Sequence, residues 1–253
     1  EILPSCVFHD NYNPNTKVAL HNYAIYTSSP VFSIHESTIS ANTTQNQVSG
    51  IKFVGSNSVN KVFNVTFEKC QNYADKNKDE RALAIDIHHT AKQVTIEFCR
   101  FNLCGRLRDT YENYFRYTIY DEGKDTTIHN CTFEGGQDTM NAPAIKIRSY
   151  GTHIITNCYI INPKSNNRGA ISYLSEGYDG TLESIEPIKG EEENENFVFH
   201  NNTIENAQGS DRIAFDFVVK KDNVVDVNNI TIKNCKESKS LLIGITVYEV
   251  SVF

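Results

Sequence analysis

An all-β solenoid is the architecture these 253 residues point to, on three observations. A short apolar pattern recurs seven times along the chain, at intervals that suit one turn of a repeat. Within each copy the apolar residues alternate with period two, the periodicity of a strand and not of a helix. Asparagine, which tolerates turns and left-handed backbone, occurs 28 times among many Ile, Val, Phe and Thr.

The copies run in order from Phe32-Ser-Ile-His-Glu-Ser37 and Val65-Thr-Phe-Glu-Lys-Cys70 through Val94-Thr-Ile-Glu-Phe-Cys99 and Thr126-Thr-Ile-His-Asn-Cys131. Ile154-Ile-Thr-Asn-Cys158, Phe197-Val-Phe-His-Asn-Asn202 and Ile230-Thr-Ile-Lys-Asn-Cys235 complete them. Aligned on their last residues, they are spaced by 33, 29, 32, 27, 44 and 33 residues. A second strand-like segment follows most copies, at residues 50–53, 84–87, 144–147, 169–172, 213–217 and 243–247. The Leu-x-x-Leu-x-Leu frame of leucine-rich repeats is missing, and no segment sustains the 3.6-residue period of helical repeats.

The break in alternation is the most specific feature. Ile128, Cys131 and Phe133 can all face inward only if the chain bends at Asn130, through left-handed backbone or side-chain hydrogen bonds. Asn157, Asn201 and Asn234 hold the same place in their copies, and Glu36, Lys69 and Phe98 hold it in the others. Stacked corners of this kind predict an interrupted asparagine ladder.

Repeats of the form Ile-x-Asn-Asn-x-Ile, followed by Gly-Ile-x-Ile, resemble those of the pectate-lyase-like superfamily. Phe199-His-Asn-Asn-Thr-Ile204 with Ile213-Ala-Phe-Asp-Phe217 is the nearest copy, and the resemblance covers roughly residues 23–250. It implies a right-handed parallel β-helix of about seven coils, a rod of roughly 30–35 Å at 4.8 Å per coil. It implies no single activity, because that fold hosts lyases, hydrolases, tailspikes and adhesins. The Asn- and Cys-bearing, loop-rich style is also similar to polymorphic-membrane-protein-like surface proteins, although their Gly-Gly-Ala-Ile motif is matched only by Gly169-Ala-Ile171.

The expected organisation is one β-helix segment over residues 1–253, with an N-terminal lead-in at 1–22, coils over 23–253 and an acidic insert at 178–196. That insert carries seven carboxylates against Lys189, so it holds nearly all of the chain's net charge of -7. Further inserts are expected at 73–81 and at 103–115. Val247 to Phe253 reads as strand and offers no polar cap, which predicts a longer protein or end-to-end contact with more solenoid. At 39% hydrophobic residues the chain is not built for wholesale disorder, and its acidity argues against sequence-independent binding to nucleic acid. No run approaches the ~20 apolar residues of a membrane helix. Five Asn-x-Thr sequons, at Asn42, Asn64, Asn130, Asn201 and Asn229, are glycan acceptors only in a secreted protein.

Two columns and one search bear on function. Cys70, Cys99, Cys131, Cys158 and Cys235 share one aligned position and predict a buried thiol ladder, since no Cys-x-x-Cys pair suggests a metal. With seven cysteines at least one lacks an internal partner; Cys6 is the candidate, and Cys99 and Cys104 could bridge a corner. One residue before each corner stand His35, Glu68, Glu97, His129, Thr156, His200 and Lys233. They read as a solvated outer column, or as a polar strip that binds sugars, with Glu97 beside His129. The search for an active site finds Asp86-Ile-His88-His89, Ile145-Lys-Ile-Arg148 and no Asp-Asp pair, Gly-x-Ser-x-Gly, P-loop or His-Glu-x-x-His.

The expectation is therefore a non-catalytic binding, adhesion or structural β-helix of a larger surface-exposed protein, needing no cofactor or metal. Its partner would be a protein or a glycan, met through loops and the outer strand face. The first alternative is a polysaccharide lyase or glycoside hydrolase. The second is an intracellular, cytoplasmic or cytoskeletal solenoid within a larger assembly.

Overall fold

Each coil of the computed structural model contributes one strand to each of three parallel sheets, and the sheets are the walls of a parallel β-helix of about seven coils. The structure describes residues 7–9, 23–40, 49–70, 82–104, 117–135, 144–149, 151–165, 169–175, 196–209, 213–220, 223–237 and 242–248. Inserts 73–81 and 178–195, most of 103–115, Cys6 and Asn42 lie outside them.

Sheet I has eight strands: Tyr23–Thr27, Ser49–Phe53, Ala82–Ile87, Tyr117–Asp121, Ile145–Arg148, Ile171–Leu174, Phe215–Lys220 and Ile243–Tyr248. Sheet II has seven: Val31–His35, Val59–Phe63, Gln93–Glu97, Asp125–His129, Thr152–Thr156, Asn196–His200 and Val224–Asn228. Sheet III has eight short ones: Val7–His9, Thr38–Ser40, Thr66–Glu68, Arg100–Asn102, Thr132–Glu134, Tyr159–Ile161, Thr203–Glu205 and Thr231–Lys233. A three-stranded ribbon, Lys164–Ser165, Gln208–Gly209 and Lys236–Glu237, extends the last coils.

Stacking in register turns the period-2 alternation into columns of like residues. Phe67, Phe101 and Phe133 pair across sheet III, and their rings stack at 4.9 and 4.6 Å. Ile34, Val62, Ile96, Ile128 and Ile155 form the matching column of sheet II, all fully buried. Burying a side chain of this size stabilises by about 1.5–3 kcal/mol.

Two copies of the repeat take a different place from the one their alignment suggests. Residues 65–70 and 230–235 belong to sheet III, not to sheet II. The described coils turn at two corners, after sheet II and after sheet III, and most of these are written alike: alternation, a left-handed residue, then an inward side chain; Gly135 takes the second corner of its coil without left-handed backbone. The first corner runs Glu36, Asn64, Phe98, Asn130, Asn157, Asn201 and Asn229, with φ between 44° and 55°. The second holds Lys69, Leu103, Asn162, Asn206 and Asn234, with φ between 51° and 56°. The backbone ladder continues through both, as in Phe98 N–H to His129 O at 3.1 Å and Leu103 N–H to Glu134 O at 2.8 Å. Leu103 and Cys104 are thus part of a coil, and the rest of the expected 103–115 insert lies outside the described residues.

Among the described residues the core holds a carboxylate–imidazole pair. Asp121 of sheet I and His153 of sheet II are both fully buried, with Nδ1 3.1 Å from Oδ2. The other carboxylate oxygen, Oδ1, accepts the Gly123 N–H at 2.8 Å. Nearby, Gly151 has φ +98°, and a Cβ there would lie 2.0 Å from the Lys124 carbonyl oxygen. Only glycine fits that turn between sheets I and II.

Candidate functional site

The asparagine ladder is present in segments. Asn229 Nδ2–H donates to Asn201 Oδ1 at 2.8 Å, and in the second corner Asn206 Nδ2–H donates to Asn162 Oδ1 at 3.1 Å. Four of the five sequons lie on the first corner column, at Asn64, Asn130, Asn201 and Asn229. In each the asparagine is the left-handed corner, the middle residue faces inward and the threonine opens the sheet III strand. The corner geometry writes Asn-x-Thr by itself, so the number of sequons carries no signal of glycosylation. Asn64, Asn201 and Asn229 are exposed and Asn130 is half-buried.

The single cysteine column divides in two. Cys99, Cys131 and Cys158 follow the first corner in consecutive coils. Cys70 and Cys104 follow the second corner, Cys104 in the same coil as Cys99, and Cys235 follows it in the last described coil. All six are free thiols, Cys99 and Cys104 included. Cys99 and Cys131 have raised pKa values, because burial disfavours the thiolate and each has a neighbouring thiol. The hydrogen bond with Cys104, followed by burial, raises Cys70. A thiol that stays protonated is not a nucleophile. We expect iodoacetamide at pH 8 to leave Cys70, Cys99, Cys104, Cys131 and Cys158 unmodified in the native protein, with half-buried Cys235 labelled before them. Mass spectrometry of labelled peptides checks this, and rapid labelling of Cys131 would contradict it.

The outer polar column also changes membership. Glu68 and Lys233 sit on sheet III, in register with Asn102 and Glu205. On sheet II the column reads His35, Phe63, Glu97, His129, Thr156, His200 and Asn228. Glu97 and His129 are register neighbours, yet each has another partner. Glu97 Oε2 lies 3.2 Å from Lys61 Nζ, and His129 Nδ1 lies 2.7 Å from Thr156 Oγ1. His200 Nε2 lies 2.9 Å from Asp226 Oδ2, an electrostatic contact without hydrogen-bond alignment.

Phe63 and the corner residue Phe98 convert this column into a strip of rings. His35 and Phe63 are 6.1 Å apart, Phe63 and Phe98 5.5 Å, and Phe98 and His129 6.2 Å. Lys61 Nζ stands 5.2 Å over the Phe63 ring. Phe98 is 51% exposed and occupies left-handed backbone at φ 54°. Neither condition suits phenylalanine, for which left-handed backbone costs roughly 1–2 kcal/mol. Phe63 belongs to no motif, and its place depends on the register of the second coil.

The outer face of sheet I is the second concentration of polar groups, and much of it is buried. One row reads Lys52, Asp86, Tyr120, Lys146, Ser172 and Asp216 in register. Lys52 Nζ lies 2.9 Å from Asp86 Oδ2, which also accepts the Tyr23 hydroxyl at 2.6 Å. The next outward row brings His88, Glu122 and Arg148 alongside, and the Tyr120 hydroxyl donates to Glu122 Oε1 at 2.8 Å. Burial, then the charge of His89, lowers the pKa of His88. The Asp86-x-His88 and Lys146-x-Arg148 segments singled out in the sequence thus share one face. Among the described residues no group of three or more His, Cys, Asp or Glu is placed to hold a metal ion.

No protein-family model matches the chain, and neither the curated proteins nor the solved structures contain a match.

Proposed function

We propose that this chain is a non-catalytic β-helical binding module of a surface-exposed protein, and that the ring strip on sheet II holds an extended carbohydrate. Phe98 is the observation that carries this reading. Six coils place a smaller or polar residue at that corner, five of them asparagine used without strain; Phe98 is instead a large apolar ring half in solvent. Backbone strain and exposed apolar area together mark a residue kept for what it contacts. Sugar rings present apolar faces that stack on aromatic side chains, while Lys61, Glu97, His129 and Thr156 offer hydrogen-bonding groups beside them. The same reading places the chain among pectate-lyase-like β-helices of the surface or adhesin type, supported by the corner-and-strand repeat.

Phe98→Asn separates function from fold. The variant should gain about 1 kcal/mol in urea unfolding, because asparagine suits the left-handed corner. Its binding to the best ligand of a glycan array should fall roughly tenfold, the equivalent of one lost stacking contact of about 1.4 kcal/mol. Unchanged glycan binding in Phe98→Asn, or an array with no ligand for the wild type, would overturn the reading.

A second reading, a polysaccharide-active enzyme, is favoured by one arrangement on sheet I. Asp86 and Glu122 lie on adjacent strands two residues out of step. Diagonal neighbours are about 7–8 Å apart at the backbone, so two carboxylates on one face there can flank a substrate as an inverting pair does. Against it, Asp86 is held by Lys52 and Tyr23. Turnover of polyuronides that disappears in Asp86→Asn and in His88→Ala would establish this reading and displace the first.

A further inference from the structure

The four described sequons differ in what surrounds the amide that a glycan would take. Asn229 Nδ2–H donates to Asn201 Oδ1, which ties these two side chains together. Asn130 is half-buried. Asn64 is exposed, and its side-chain amide meets no hydrogen-bond partner among the described residues. Its backbone N–H is bonded to Glu97 O at 2.9 Å, so the corner that presents the amide belongs to the ladder. Asn64 also stands among the rings of the strip. Phe63 precedes it, and Phe98 holds the same corner on the next coil, about 4.8 Å along the axis. The two rings are 5.5 Å apart and cross at 67°. Asn130 borders Phe98 from the far side, so burial and the second ring are what set Asn64 apart from it.

Successive corners turn their side chains the same way, so a group carried on Asn64 Nδ2 emerges beside the exposed Phe98 ring. We propose that Asn64 is an N-glycan acceptor whose first N-acetylglucosamine packs on the Phe98 ring. In the transfer, Asn64 Nδ2 bonds to C1 of an oligosaccharide carried on a lipid diphosphate. The C1–O bond breaks, the diphosphate leaves with the electron pair, and one amide proton passes to solvent. The remaining amide N–H and the Thr66 hydroxyl stay on the chain. The sugar presents an apolar face to the ring and covers area that Phe98 otherwise leaves in water. This inference rests on the surface-exposed reading, because only a secreted chain meets that donor. It names one source of carbohydrate for the strip, a glycan borne by the chain itself.

The test uses the whole chain secreted from a eukaryotic cell line behind an added leader, beside the same chain made without glycans in bacterial cytoplasm. Glycopeptide mass spectrometry should find an N-acetylglucosamine-based glycan at Asn64. An endoglycosidase then trims it to its first sugar. In NMR spectra the acetyl and ring protons of that sugar should move upfield under the Phe98 ring. The movement should persist in Asn130→Gln and vanish in Phe98→Asn, while the Asn64 glycan itself stays in place in both. Phe98→Asn should fold, since asparagine suits the corner, and urea unfolding checks this. An unmodified Asn64 in the secreted chain, or sugar shifts that are the same in wild type and Phe98→Asn, would overturn the proposal. Glycan-array binding, read on the bacterial chain, tests the underlying reading separately. A bound ligand together with a bare Asn64 overturns this proposal alone. A modified Asn64 packed on Phe98, with an empty array, supports it and overturns the ligand reading alone.

Discussion

Asp121→Ala should destabilise the protein by about 3–5 kcal/mol, the cost of removing one partner of a buried carboxylate–imidazole pair. Asp121 occupies a core column of sheet I between Ile87 and Ile147, where every neighbour along the axis is aliphatic. His153 lies between Thr126 and Phe197 on sheet II. Truncating the carboxylate removes the acceptor of His153 Nδ1 and that of the Gly123 N–H in one step. Each buried donor left without an acceptor costs about 1–3 kcal/mol, and the void adds to this. His153→Leu should cost at least as much, because it leaves a carboxylate in a dry core with one partner fewer. The double variant Asp121→Leu/His153→Leu should be more stable than either single variant, since apolar replacements of a buried pair are often neutral. Urea unfolding of the four proteins gives the coupling energy directly. Additive losses would mean that the two side chains do not depend on each other, and the pair would then explain nothing about the core.

The local geometry of a coil was legible in the sequence, and its register was not. Asn130 between inward Ile128 and Cys131 forces a bend whatever the rest of the chain does, and the structure has φ 51° there. Cys70 and Cys235 follow an identical local pattern but at the other corner. Nothing within six residues distinguishes the corners; only the pairing of Thr66 with Arg100, and of Thr231 with Thr203, does so. The outer column was misassembled for the same reason, with Glu68 and Lys233 in the places of Phe63 and Asn228. That exchange hid the ring strip, because Phe63 joins Phe98 only after the second coil is set. The buried pair was within reach by parity alone. His153 stands two residues before inward Ile155, and Asp121 two after inward Ile119.

Phe101→Ala should lower stability by about 3–5 kcal/mol, the usual cost of deleting a fully buried phenylalanine. Its ring is sandwiched between Phe67 at 4.9 Å and Phe133 at 4.6 Å, so the void would open on coils to both sides. Ile232 lies in the same column, three coils beyond Phe133, but it is only half-buried. Its coil is the last described one and exposes Val224, Val227, Ile243, Ile245 and Val247. Ile232→Ala should therefore cost about 1–2 kcal/mol, with less apolar area to lose and little cavity to leave. The contrast follows from how a solenoid is held together. Each coil is stabilised by its interfaces with the coils on either side, so a central coil loses two interfaces where a terminal one loses one. Urea unfolding of both variants would read the difference. Phe101→Ala should also lower the denaturant slope if it uncouples the two halves of the rod, because each half then unfolds with less surface exposed. Equal losses at the two sites would show that the exposed apolar side chains of the last coil are buried in solution, against another copy or another segment.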